Sequence, residues 1–291
     1  MTLVIDQRPR SNGLTATALL APATIFVAIC LLAPLAILFR YSLNDFVAAK
    51  KMMVEAVTVA NYIRFFTDPY YTAILWTTVR ISITVTAVCL VLGFPLAYVV
   101  ARTQSRFKHL LIILIVLPLF VGNAVRAAGW MTVFGSKGFL NATLMGLGVI
   151  DRPLEIMFTE KAVVIGIIAV NLPFMVLSLQ SVIEGIDRAV EEAAFSLGAP
   201  PLTMFRRVLW PLALPGILSG TILTFILAMN AYATPFLLGG PLFKMMAPLV
   251  YSQFTQQTNW PFGGAIAFIL MAVTLTLTVA ANLILQRRNA R

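Results

Sequence analysis

An all-α membrane protein with six transmembrane helices is the fold class that this 291-residue sequence predicts, on three observations. The chain is 60% hydrophobic and 11% charged, with a mean hydropathy of +0.92, whereas a soluble domain carries roughly 25% charged residues. Its apolar residues fall in long runs, on the scale of the ~20 residues a helix needs to cross a ~30 Å hydrocarbon core. Lys and Arg are concentrated in the stretches between those runs.

Six segments have the length and composition of spans: 17–39, 73–99, 110–134, 162–182, 211–237 and 263–285. Pro34, Pro95, Pro118, Pro173, Pro215 and Pro235 lie inside them. Membrane helices accept internal proline where neighbouring helices satisfy the freed carbonyls. The two termini and the second and fourth loops hold eleven Lys and Arg, among them Arg8, Arg10, Arg102, Arg188, Arg206, Arg287 and Arg291. The first, third and fifth loops, which together span more residues, hold eight. Short basic loops face the cytoplasm, so both termini and the loop at about 183–210 are predicted inside.

The predicted outer loops carry local structure. Asn61, Tyr62, Phe65 and Phe66, followed by Asp68-Pro69-Tyr70-Tyr71, bring aromatic side chains to headgroup level ahead of the second span. The stretch 138–148 has the spacing of a short interfacial helix. Asn141-Ala142-Thr143 matches a glycosylation sequon, read here as a chance match. No internal repeat or linker divides the chain, so residues 1–291 form a single transmembrane domain. Arg8 and Arg10 precede a run too long for the core of a cleavable signal.

Several function classes are excluded. The net charge of +10 is spread over short loops rather than gathered on a soluble face, which argues for topology and lipid headgroups and against nucleic acid. Cys30 and Cys89 each lie in an apolar run and act as small apolar side chains. His109 is the only histidine and has no company for a metal or catalytic site. Outside the fourth loop and the N-terminal tail the acids (Asp45, Glu55, Asp68, Asp151, Glu155, Glu160) are scattered singly, which excludes a membrane enzyme built on a carboxylate pair.

The fourth loop is where a function becomes legible. Between two apolar runs stands a polar helix-forming segment, EEAAFSLGAPPLTMFRRVLWP, from Glu191 to Pro211. Ala193 and Ala194 favour helix without bulk, Gly198 supplies a turn, and Pro200-Pro201 stops the first helix. Pro201 then opens a second helix over 202–208, with Phe195 and Leu197 as apolar anchors and Arg206-Arg207 at the base. Glu192-Ala193-Ala194, then Gly198, then Pro211 thirteen residues on, resemble the EAA loop of binding-protein-dependent ABC transporter permeases. Val208 and Trp210 replace that pattern's usual isoleucine and leucine.

The resemblance covers nearly the whole chain. Pro118-Leu119-Phe120 with Arg126, Asn171-Leu172-Pro173-Phe174, and Thr234-Pro235-Phe236-Leu237-Leu238-Gly239-Gly240 are similar to the spermidine/putrescine branch of these permeases. It implies a type I ABC importer permease fold (MetI-like) in a bacterial inner membrane, one half of a pair whose other half is a sister chain. It also implies two ATPase subunits inside and a soluble substrate-binding protein outside. Glu191, Glu192, Ala193, Ala194, Gly198 and Pro211 become the expected coupling residues. The chain lacks the phosphate-binding pattern G-x-x-x-x-G-K-[ST], so no cofactor is expected here, and ATP and Mg are expected on the ATPase.

A translocation path shows as polar residues inside apolar runs. The candidates are Arg126, Asn123, Asn171, Asn230 and Tyr232, with Arg80, Gln180 and Trp130 as further polar or interfacial positions. No Asp or Glu lies within the six predicted spans. Polyamine-type permeases often carry an acid close to the place of Asn230, so the solute is left open among polyamine-like, amino-acid-like and other small organic ions. A stand-alone channel or secondary transporter is the competing reading; inverted repeats with paired broken helices would favour it, and none is seen.

Overall fold

The computed structural model describes residues 13–47 and 52–289, with side-chain environments for 20–47 and 52–283. Arg8, Arg10, Lys50, Lys51 and Arg291, which enter the charge comparison above, lie outside the described residues.

Long helices dominate because their backbones satisfy themselves where no water can. In chain order they are α1 (Gly13–Ser42), α2 (Ala60–Thr67), α3 (Pro69–Arg102), α4 (Lys108–Val116), α5 (Asn123–Phe134), α6 (Phe139–Gly146) and α7 (Glu160–Glu184). There follow α8 (Arg188–Ser196), α9 (Pro201–Met204), α10 (Trp210–Leu212), α11 (Leu214–Met229), α12 (Ala233–Leu238), α13 (Met246–Thr255) and α14 (Trp260–Asn289). Four of these are long and apolar enough to cross a membrane alone, and two bent pairs bring the number to six.

Two predicted spans are corrected by the bends. The run 110–134 is not one helix: α4 passes through a 3-10 turn, Leu117–Phe120, and α5 with α6 departs at 97°. Pro118 tightens that turn, and Val121 and Gly122 are extended (ψ 124° and 142°), so the backbone changes direction while the apolar pattern runs on. The run 211–237 is likewise divided. A 70° bend at Ala213 separates Pro201–Leu212 from α11, and residues 230–232 separate α11 from α12.

Helices α3, α7 and α11 form the centre, with Ile81, Val85, Cys89, Met175, Leu179, Ile183 and Ala228 in one buried cluster. Close approach comes from glycine. Gly93 of α3 and Gly220 of α11 both lie against Met175 of α7, where an added Cβ would meet its side chain at 3.0 and 2.8 Å. A second cluster (Phe65, Tyr71, Met246, Leu249, Phe262, Ile266) joins α2, α3, α13 and α14.

A short antiparallel hairpin follows α1, with β1 (Asp45–Val47) paired to β2 (Met52–Val54). Asn61 of α2 ties it to α1, donating its amide to the carbonyls of Ser42 (3.0 Å) and Asn44 (2.8 Å). The predicted interfacial helix at 138–148 is present as α6. Asn141 inside it is buried, donating to the carbonyls of Gly135 and Leu154 and accepting from the Leu154 N–H at 2.7 Å.

Candidate functional site

The loop between α7 and α11 is built from ordinary helix-end chemistry. α7 ends at Gly185, and two residues on Asp187 caps α8 by accepting from the Ala189 N–H at 3.0 Å. α8 stops in a Schellman closure: the Gly198 N–H reaches the Phe195 carbonyl (2.9 Å) and the Ala199 N–H the Ala194 carbonyl (3.1 Å). That closure needs a left-handed residue, and Gly198 has φ +79°. No atom lies within 4 Å of where its Cβ would be, so the requirement for glycine is conformational and not steric. Pro200 is extended, and Pro201 occupies the first turn of α9 where its missing N–H costs nothing.

The returning arm contains a π turn, Phe205–Leu209, in which the Trp210 N–H reaches back five residues to the Phe205 carbonyl. Pro211 explains it: proline has no N–H to give to the carbonyl of Arg207, and its ring would crowd that carbonyl in a regular α turn. Pro211 therefore sits in the stem of the loop and shapes it. The expected second helix over 202–208 is accordingly a single α turn, α9, running into this wider one.

At the tip, Glu192, Ala193 and Gly198 are exposed and Ala194 is half-buried. Leu197 is 89% exposed, an apolar side chain offered with nothing of its own chain beside it. Among the described residues the Glu192 side chain has no hydrogen bond or ion pair with any other. Glu191 is different, and its expected role at a partner surface is corrected. It is buried, taking the Arg102 Nε on Oε1 (2.9 Å) and the Tyr98 hydroxyl on Oε2 (2.9 Å), with Arg102 Nη2 also on Oε1. Both carboxylate oxygens are spent inside the chain.

Residues 54–291 match the family described as "Binding-protein-dependent transport system inner membrane component". This chain belongs to that family. Two of its relatives are the spermidine/putrescine transport system permease proteins PotB of Haemophilus influenzae, 36% identical over 80% of this chain and 82% of the relative, and of Escherichia coli, 37% identical over 80% and 83%. Among solved structures, a bacterial alginate ABC transporter in complex with an alginate pentasaccharide-bound periplasmic protein matches with a TM-score of 0.73 over 94% of this chain and 95% of that one, at 19% identity. The fold of this inner membrane component is thus the ABC importer permease fold, and the chain is a permease subunit.

The candidate pathway residues of this permease do not form one site. Asn123 and Arg126 come together at the α4–α5 break, where Arg126 Nη2 donates to Asn123 Oδ1 (3.1 Å) and to the Val121 carbonyl (3.0 Å) freed by that break. Arg126 Nε and Nη1 are buried and have no partner among the described residues. Asn171 is corrected: it is buried between α7 and α11, its amide donating to the Thr224 carbonyl at 3.5 Å, and so it serves packing. Asn230 caps α11, donating to the Ile226 carbonyl at 2.9 Å, and borders a cavity of about 460 Å³ with Ala247, Leu270 and Thr274. Tyr232 stacks on Phe236 and packs on Tyr251, with ring centroids 5.4 and 4.6 Å apart. No group of three or more His, Cys, Asp or Glu among the described residues is placed to hold a metal ion.

Sequence reasoning missed the residues that hold the loop. Arg102 and Tyr98 counted only as a loop charge and an apolar-run residue, and Lys108, which pairs with Glu184 at 2.7 Å, as topology. Arg80 pairs with Glu160 at 2.5 Å across α3 and α7. No local pattern links partners some eighty residues apart. One signal was available: Gly216 and Gly220 form a G-x-x-x-G, a known device for close helix approach.

Proposed function

We propose that this permease subunit forms half of the translocation pathway for a small organic solute and is driven through the tip at Glu192–Gly198 by an ATPase subunit that holds the ATP and Mg. The observation that carries this reading is the tip itself: a helix stopped by a Schellman glycine, with Leu197 and Glu192 exposed and unengaged. Phe195 and Leu202 are exposed on the same loop as Leu197, and apolar side chains gathered outside the spans mark a partner surface. A sister permease, two ATPase subunits and a soluble binding protein complete the assembly, with both termini on the ATPase side.

The test is extraction of the tagged chain from its native membrane, with Gly198→Val as control. Recovery of an ATPase and a second permease with the wild type, and loss of the ATPase with the variant, is the expected result. A chain that comes out alone, or a variant that keeps its ATPase, overturns the reading.

For the solute, the names of the relatives support a polyamine. A second reading, a solute bearing a carboxylate, is favoured by Arg126, whose two unpartnered N–H groups are costly to bury unless an acceptor arrives. Uptake of labelled spermidine and putrescine against labelled amino acids decides between them. Saturable, competable polyamine uptake supports the first reading, and its absence beside amino-acid uptake supports the second.

A further inference from the structure

Phe94, Tyr98 and Arg102 are spaced four residues apart and so lie along one stripe of α3. That stripe touches both arms of the coupling loop. On the outgoing arm, Arg102 and Tyr98 occupy both oxygens of Glu191 in α8. Arg102 Nη1 also donates to the Ile186 carbonyl (3.0 Å), and Arg188 Nη2 donates back to the Arg102 carbonyl (2.7 Å). The Arg102 and Glu191 side chains are 13% and 8% exposed, so this ring of contacts is shielded from solvent. On the returning arm, Phe94 stacks on Trp210 (centroids 5.7 Å apart, 23° between planes) and meets Phe205 edge-on at 5.1 Å.

We propose that this stripe makes α3 the receiver of the loop's movement, with Arg102 and Glu191 as positioning residues. The covalent routes out of the loop are poor transmitters. One passes through the turn at Gly185–Asp187, and the other through the 70° bend at Ala213. The stripe joins the loop directly to a 34-residue helix that continues through Pro95, between Phe94 and Tyr98. At ~1.5 Å per residue that helix is a rod of about 50 Å. Towards its far end the Thr78 hydroxyl accepts the Met246 N–H at the start of α13 (2.9 Å), and Tyr71 packs on Phe262 of α14. A displacement of α8 is thereby delivered towards the opposite end of the molecule by one continuous helix.

This inference rests on the reading of the loop tip as the ATPase dock, and the experiment separates the two. The complete complex is purified in nanodiscs with wild type, Glu191→Gln, Arg102→Gln, the double variant and Tyr98→Phe. The expected result is that ATPase subunits remain bound throughout, while stimulation of ATP turnover by loaded binding protein falls at least ten-fold in both charge variants. The double variant should be no worse than either single one, and Tyr98→Phe should lose two- to five-fold. Spin labels at Gln104 and Ala189, both exposed, in a chain whose two native cysteines are replaced, report the clamp itself. Their separation should be the same with and without ATP in the wild type, and should shift or broaden with ATP in Glu191→Gln.

Full stimulation in Glu191→Gln, or a wild-type separation that changes with ATP, overturns the proposal. So does loss of the ATPase from Glu191→Gln, which would make Glu191 a docking residue while leaving the dock in place. Should the charge variants fail to fold and reach the membrane, Tyr98→Phe decides alone: wild-type stimulation would overturn the proposal. Failure of the dock shows separately, as an ATPase still bound to Gly198→Val.

Discussion

Gly216 of α11 is pressed against Val182 of α7, so that a Cβ on the glycine would stand 2.9 Å from the valine Cβ and 3.3 Å from the Ser178 carbonyl. One turn on, a Cβ on Gly220 would stand 2.8 Å from the Met175 sulfur. The two contacts differ in what can yield. Val182 Cβ is fixed to its backbone, whereas the methionine sulfur is the flexible part of its side chain.

Gly216→Leu is therefore expected to break the α7–α11 contact, and Gly220→Ala only to strain it. Overpacking costs typically ~1–3 kcal/mol where neighbours cannot move. Fluorescence-detected size exclusion after a heating series should show no monodisperse Gly216→Leu, and a Gly220→Ala peak melting a few degrees early. Equal behaviour of the two would contradict the contact geometry.

At Gly198 the prediction is conformational. The open space around it admits any side chain, so only the left-handed backbone discriminates, at ~1–2 kcal/mol for an ordinary residue. Retention of the ATPase should fall in the order Gly, Asn, Ala, Val, because Asn tolerates that conformation and a β-branched residue does not. A Val variant that matched Asn would sink the Schellman argument.

Arg126→Gln keeps a donor for the Val121 carbonyl and removes the charge. The complex is expected to assemble normally while the KM for uptake moves at least three-fold. A fall in KM marks a cationic solute relieved of repulsion, and a rise marks an anionic group deprived of its partner. An unchanged KM would remove Arg126 from the pathway.

Asn141 makes three hydrogen bonds from a buried amide, so it is unavailable to a glycosylating enzyme once the chain has folded. Asn141→Ala leaves the Leu154 carbonyl and N–H without partners, while the Gly135 carbonyl keeps the Gly138 N–H, at roughly 1–3 kcal/mol for a buried unsatisfied group. A lowered melting temperature is expected, with no mass shift of the wild type expressed in a glycosylating host. A variant as stable as wild type would show the corner to be solvated.

The sequence made the straight spans and the loop legible because their signals are local. Helices α3, α7 and α14 are long apolar runs, and Glu192, Gly198 and Pro211 are separated by fixed distances that backbone chemistry demands. The broken spans were illegible for the converse reason: Leu117–Phe134 and Pro211–Leu238 stay mostly apolar while Val121, Gly122 and Asn230 turn the chain, and hydropathy carries no direction. The strands β1 and β2 are three residues each, too short for an alternation to register. Glu191 was expected beside Glu192 among the coupling residues, and its burial was illegible because its partner Arg102 lies 89 positions away.

The π turn before Pro211 has a geometric consequence of its own. It holds one residue more than a regular α turn, and each residue of an α-helix advances the azimuth by about 100°. Deleting one residue of Phe205–Leu209 would ask for a plain α turn that Pro211 cannot close, because its ring would still crowd the carbonyl four residues back. The length of the stalk is thus tied to the proline that ends it, a constraint that substitutions within Phe205–Leu209 leave alone and a one-codon deletion meets at once.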